Sequence, residues 1–241
     1  MSKIDQYRAA LRTLADWESF LRTESGLPGP RGNLELAAAV ALEGHEALFR
    51  RWIALDPDQA PVNSPDQFLM VCGVIGLGRL AADQPAARPA LLAELRRHAA
   101  DPRWRAREAV AIALQRLGDA DMGALLDEME HWAGGHPLEQ RAAAAALCEP
   151  RLLRDPARAR RVLAVLDAIT AAIPAQRDRR SDAFKTLRQG LGYCWSVAVA
   201  ALPADGAPLM KKWLVHPDPD IRWIMRENLK KARLKAISSQ L

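Results

Sequence analysis

The chain of 241 residues carries 34 Lys and Arg against 29 Asp and Glu, a net charge of +5, and is 49% hydrophobic with only 5% aromatic residues. That length suffices for an extended core, abundant alanine favours closely packed helices, and no sustained alternating Val/Ile/Thr run suggests strands. No apolar run approaches the roughly 18 residues of a membrane span, and no N-terminal stretch resembles a signal peptide, so a cytoplasmic protein without a membrane segment is expected.

The pattern predicts a first helix over residues 3–24, the Gly/Pro-rich loop Ser25 to Asn33, and a second helix at roughly 33–55. Asp56-Pro57-Asp58-Gln59-Ala60-Pro61-Val62-Asn63 is a second break. Ser64-Pro65-Asp66-Gln67 restarts the helix as a capping box, with Ser64 accepting from the Gln67 amide and Pro65 where its missing N–H costs nothing. Further helices are expected at 87–100, 103–117, 121–133, 137–148, 156–173, 181–201, 206–215 and 219–235, about eleven in all. Gly73-Val-Ile-Gly76-Leu-Gly78 lacks the order of a dinucleotide fingerprint, and its small residues permit close helix packing.

A turn-plus-helix unit recurs along the chain. It reads His98-Ala-Ala-Asp101-Pro102-Arg103-Trp104-Arg105, then His136-Pro137-Leu138-Glu139-Gln140-Arg141, then His216-Pro217-Asp218-Pro219-Asp220-Ile221-Arg222. With the turn-adjacent cations as register marks, Arg105 to Arg141 is 36 positions, Arg141 to Lys185 is 44 and Lys185 to Arg222 is 37. Such spacing brackets a two-helix repeat, and Arg105, Arg141 and Arg222 are the candidate members of an inter-repeat polar ladder.

Asp101-Pro-Arg-Trp-Arg105 and Asp218-Pro-Asp-Ile-Arg222 resemble the Asp-Pro-x-Val-Arg helix entry of HEAT repeats, over residues 87–235, with 1–86 divergent and 236–241 a tail. The resemblance implies one domain, a right-handed α-solenoid of about five HEAT-like hairpins. Leu187 to Leu202 together with Ile221 to Lys231 also look like the C-terminal part of uncharacterised bacterial HEAT-repeat proteins. A fainter likeness to the HEAT-like alkylpurine DNA glycosylases of the AlkD type would imply a basic concave face. The chain has no counterpart of that family's Trp-Asp-x-Val-Asp segment; the nearest pair, Asp16-Trp17, lies in the first helix.

Cys72, Cys148 and Cys194 stand far apart in sequence without CxxC spacing, and each is expected as a small buried hydrophobe. Residues 211–235 hold eight basic and three acidic residues and so account for the whole +5. Either a polar cap on the last repeat or a polyanion footprint fits that run. On a wheel of the terminal helix, Ile221, Ile224, Met225, Leu229 and Ala232 face the preceding helix; Arg222, Arg226, Lys230 and Arg233 face away, with Trp223 beside Lys230. With Lys211, Lys212 and Trp104 these are the candidate partner-binding or nucleic-acid-binding residues. Trp104 points away from the apolar face of its helix, either lining a groove or filling a crevice between repeats. Trp195 reads as core.

His131 and His136 lack a third metal ligand, and a turn or surface role is expected for them. The carboxylates at i, i+3 spacing, such as Glu43 with Glu46, fit solvated helices. No GxSxG, HExxH or Walker sequence occurs, and no cofactor or metal is expected. The sequence therefore reads as a monomeric, non-enzymatic scaffold that recognises a protein partner on its concave face. The alternative is a nucleic-acid-binding protein related to DNA alkylation repair, which gains if the 211–235 cations and the Arg groups at 151–161 and 177–180 share one concave surface.

Overall fold

Short polar caps cut the chain into helices, and no strand forms among the described residues. The structure, a computed structural model, describes residues 1–240, with side chains described through residue 237. It divides into two compact units, Met1–Ala120 and Asp121–Leu241. The tail expected at 236–241 ends at Leu241, outside the described residues.

The first unit holds α1 (Lys3–Leu11), α2 (Trp17–Glu24), α3 (Leu34–Glu43), α4 (Glu46–Ile53), α5 (Pro65–Asp83), α6 (Arg88–His98) and α7 (Trp104–Ala120). The expected helix over 3–24 is two helices. The Thr13 amide and hydroxyl both donate to the Ala10 carbonyl, which tightens and ends α1, and Asp16 then caps α2 by accepting from the Ser19 amide. The Trp17 indole N–H donates to the Leu11 carbonyl at 2.8 Å, satisfying an open group at the end of α1. The expected helix over 33–55 is also two: the Gly44 amide closes α3 on Val40, and His45 is extended before α4.

At Ser64 the capping expectation is met, because its hydroxyl accepts from the Gln67 amide at 3.2 Å and Pro65 opens α5. The Gln67 side chain closes on the Asn63 amide, one residue before the expected partner. Helix α5 is buried on nearly every side, between α2, α3, α4, α6 and α7. Its small residues permit that approach: a Cβ on Gly76 would enter the Phe49 ring of α4, and one on Gly78 would overlap Ala113 of α7.

The second unit holds α8 (Met122–Ala133), α9 (Pro137–Leu147), α10 (Pro156–Ala171), α11 (Asp182–Ala201), α12 (Pro203–Leu214) and α13 (Pro219–Leu229), with 3-10 turns at Pro150–Leu153, Ile173–Ala175 and Ala232–Gln240. Helix α11 packs on α9 and α13, while α10 packs on α8 and α12. The two rows meet through α8 with α9, α10 with α11 and α12 with α13. Trp195 is fully buried in α11, and its indole N–H donates to the Thr170 hydroxyl of α10 at 3.0 Å. Helix α12 begins at Pro203, three residues before the expected start, since proline suits the first helical position.

The terminal helix ends at Leu229 and not near 235, so Ala232 lies in the following 3-10 segment and is exposed. Ile221, Ile224 and Met225 are buried as the wheel places them, but Leu229 is 40% exposed. Buried Asn228 occupies the stripe instead; seven residues from Ile221, it lies within about 20° of it at 100° per residue, nearer the stripe's centre than Leu229. Its amide oxygen accepts from the Ser196 amide at 2.7 Å, and its nitrogen donates to the Leu191 and Ile224 carbonyls, both at 2.8 Å.

All three cysteines are buried and free. Cys148 and Cys194, distant in sequence, are neighbours in space; burial and the adjoining thiol push the Cys148 thiol well above its ordinary value.

Candidate functional site

The turn before α7 is built on a buried ion pair. Arg103 Nε and Nη2 donate to the two carboxylate oxygens of Asp101 at 2.9 and 2.7 Å. Its Nη1 donates to the carbonyls of Leu55, Asp56 and Ala60 at 2.9, 3.2 and 3.3 Å, so one guanidinium holds the 56–63 break in place. Burial pushes the Asp101 carboxyl up, but hydrogen bonds from Arg103 and His98 outweigh it and hold the group well below the usual carboxylate range. Arg103 was not among the residues singled out from sequence, although its place two residues after an aspartate in an Asp-Pro turn was the available signal.

With Asp101 satisfied by Arg103, Arg105 turns elsewhere. It is 8% exposed, and its Nη2 donates to the Gly29 carbonyl at 2.6 Å and to Asn63 Oδ1 at 3.0 Å. Asn63 Oδ1 also accepts from the Gly29 amide at 3.1 Å, and Asn63 sits at φ 66°, in the left-handed region that asparagine tolerates. The loop so held is tight: Gly26 has φ 72°, and a Cβ on Gly29 would overlap the Gly26 carbonyl oxygen. Asn33 closes the loop's far end, its amide donating to the Ser25 carbonyl at 2.9 Å and its side chain to Tyr7 and Glu24.

Beside this junction lies a pocket of about 300 Å³. Leu27 and Leu34 come from the loop and α3, Phe68 and Val71 from α5, and Trp104 and Ile112 from α7. Trp104 is 44% exposed, and the Arg105 guanidinium stacks on its ring at 4.2 Å from the centroid. Of the two places open to Trp104, the structure shows the groove wall. Arg105 Nε is buried without a hydrogen-bond partner, and burial pushes the guanidinium below its ordinary value.

The remaining ladder candidates have different surroundings. Arg141 lies against Gly190 of α11 and is not without partners of its own. Arg222 is half-buried and makes no side-chain hydrogen bond among the described residues. In its turn the cations come from the start of α11 and the loop before it: Arg179 Nη1 approaches Asp218 at 2.7 Å and Arg188 Nη1 approaches Asp220 at 2.6 Å. Burial raises the Asp218 carboxyl, and the hydrogen bonds from Arg179 and from the Ile221 and Asp220 amides together outweigh it, leaving it low. Trp223 packs its ring edge on Gly192, with the Arg188 guanidinium 4.3 Å from the ring centroid. Two of the recurring histidines act as caps, His136 Nδ1 accepting from the Leu138 amide and His216 Nδ1 from the Asp218 amide.

The other C-terminal candidates divide into paired and unpaired cations. Lys212 is tied to Asp167 at 3.0 Å, Lys230 to Glu227, and Arg233 Nη2 donates to the Tyr193 hydroxyl at 2.6 Å. Lys211 and Arg226 are exposed and outside these pairs. The Arg groups at 151–161 and 177–180 are largely engaged locally: Arg160 with Asp205, Arg161 with Asp127 and Glu130, and Arg179 as above. Sequence reading passed over Tyr193, which is 47% exposed beneath Arg233, whose guanidinium lies 4.8 Å from the ring centroid. Among the described residues, no group of three or more His, Cys, Asp or Glu stands in metal-holding reach, and no helix is long and apolar enough to cross a membrane.

No family model matches the chain, and no curated protein matches it. One solved structure that it is similar to is the crystal structure of an engineered protein from a structural genomics consortium, at 16% identity over 98% of each chain with a TM-score of 0.35. At that score the likeness carries no argument about fold or function.

Proposed function

We propose that this chain is a HEAT-type α-solenoid acting as a non-enzymatic scaffold, and that it captures a protein partner by seating an apolar side chain in the pocket beside Trp104. The solenoid part is supported by the helix-entry turns before α7 and α13 and by the i, i+2 packing of α9 on α11 on α13 and of α8 on α10 on α12. The observation that carries the docking part is Trp104: a half-open indole, stiffened by Arg105, on the wall of an apolar pocket whose loop is held by four hydrogen-bonding residues. Tryptophan and arginine over an apolar pocket are the residue types that dominate interface energetics. Selection from a displayed library of random peptides tests this. Enriched peptides should share an apolar anchor and lose binding to Trp104→Ala at unchanged helicity; peptides indifferent to that substitution would remove the pocket from the interface.

A second reading, polyanion binding, is favoured by charge placement. Residues 121–241 hold 19 Lys and Arg against 14 Asp and Glu, the full net +5, and they also present the exposed Tyr193. Cations around an exposed aromatic suit a phosphate backbone with a stacked base. Duplex and single-stranded DNA titrated at two salt concentrations test it; binding that collapses with salt and weakens in Lys211→Glu with Arg226→Glu supports it, and no binding at low salt excludes it.

A further inference from the structure

The pocket beside Trp104 is walled by a guanidinium, Arg105, that donates to no carboxylate. Arg105 is 8% exposed, yet its hydrogen bonds go to a carbonyl and an amide oxygen, and its Nε has no partner. A buried guanidinium normally finds a carboxylate, as Arg103 does two residues earlier with Asp101. The lining adds Arg31 at the rim, held only by the exposed 3.4 Å pair with Glu35. Glu108 also lines the pocket, and it is not without a partner of its own. Arg31 is thus matched by Glu35, and what distinguishes this apolar pocket is the buried Arg105 guanidinium in its wall, which donates to no carboxylate.

Resting on the docking reading above, we infer that the Trp104 pocket selects a peptide segment in which an apolar side chain stands next to a carboxylate, the apolar group filling the space between Phe68, Ile112 and Trp104 and the carboxylate reaching Arg105. Charge complementarity is what commits the site to this occupant. An incoming carboxylate meets a cation already stripped of most of its water, so the desolvation cost on the protein side is largely met during folding. An apolar anchor alone would leave Arg105 as it is, and an anchor beside a cation would be repelled. At about 300 Å³ the space lies at the small end of ligand pockets, which suits one or two side chains.

The test uses the full chain and three probes with one apolar body: octanoate, octanol and octylamine. Binding is followed by NMR at the Trp104 indole N–H resonance, assigned by its loss in Trp104→Phe. Octanoate should bind about tenfold more tightly than octanol, the ratio for one charge-assisted hydrogen bond, with octylamine weakest. Arg105→Met should bring octanoate down to octanol while Arg105→Lys keeps part of the preference; if the methionine variant loosens the loop, the wild-type ranking alone decides. Equal binding of octanoate and octanol would overturn the carboxylate assignment and leave the apolar docking reading standing. No response to any probe would overturn both. An octanoate dissociation constant near micromolar, far below the millimolar value of a fragment, would assign the pocket to a free acid and overturn the peptide assignment.

Discussion

Two helix entries of similar sequence, Asp101-Pro102-Arg103 just before α7 and Asp218-Pro219-Asp220 at the cap and first turn of α13, are used in opposite ways. In the first, the third residue is a cation, its side chain 4% exposed, that folds back on its own aspartate and grips three carbonyls of the 55–60 segment. In the second, the third residue is another anion, so the turn takes Arg179 from the loop before α11 and Arg188 from α11, both partly exposed. The register arginine two residues on follows suit. Arg105 is released into a pocket wall, whereas Arg222 makes no side-chain hydrogen bond among the described residues. The residue after the Asp-Pro pair is thus a cation that closes on its own turn in one case and an anion that draws two arginines from elsewhere in the other.

The sharpest way to break this contrast is Arg103→Met. It strands the buried Asp101 carboxylate and should cost about 3–5 kcal/mol in chemical denaturation. The pH dependence follows from the same pair. The folded Asp101 pKa lies below its unfolded value, so its stabilisation is present above about pH 4 and lost as pH falls through the folded pKa. The wild type should lose stability on acidification, and the variant should show a shallower slope in that range. A variant with wild-type stability would mean the turn is not held by this pair.

Within the second unit, Asn228→Leu should cost roughly 1–3 kcal/mol, since it leaves the buried Ser196 amide and Leu191 carbonyl without their partner. A smaller loss would mean water replaces the side chain. Arg179→Met should cost less than about 1 kcal/mol, because its pairs with Asp218 and Asp220 are partly solvated. A loss equal to that of Arg103→Met would erase the distinction between the two turns. Leu229→Asp should be the mildest, within about 0.5 kcal/mol, since a 40% exposed side chain at a helix end buries no charge.

Much of the local structure was legible because capping and turn chemistry act within a few residues. Ser64-Pro65 opens α5, Pro137 and Pro219 open α9 and α13, and the small residues of α5 do sit at close helix approaches. The splits at 12–16 and 44–45 were missed since Thr13, Asp16 and Gly44 can each sit inside a helix, and the Thr13 to Ala10 and Trp17 to Leu11 bonds, the Asp16 cap and the extended His45 mark the ends. Asn228 was left off the buried stripe because the wheel weighs polarity, whereas its burial rests on hydrogen bonds to the Ser196 amide and Leu191 carbonyl of α11.

The candidate site was half legible. Trp104 stood out as an aromatic turned from its helix's apolar face, but the pocket it lines needs Leu27, Phe68 and a loop closed by Asn63, up to 77 positions away along the chain. Sequence alone determined an all-helical protein, its main breaks, its buried cysteines and the location of its charge, since propensity, caps and composition are local or additive quantities. Only the tertiary structure decided which arginine meets a carboxylate and which meets a carbonyl and an amide oxygen beside an apolar pocket, because hydrogen-bond partners and desolvation are set by segments that meet only on folding.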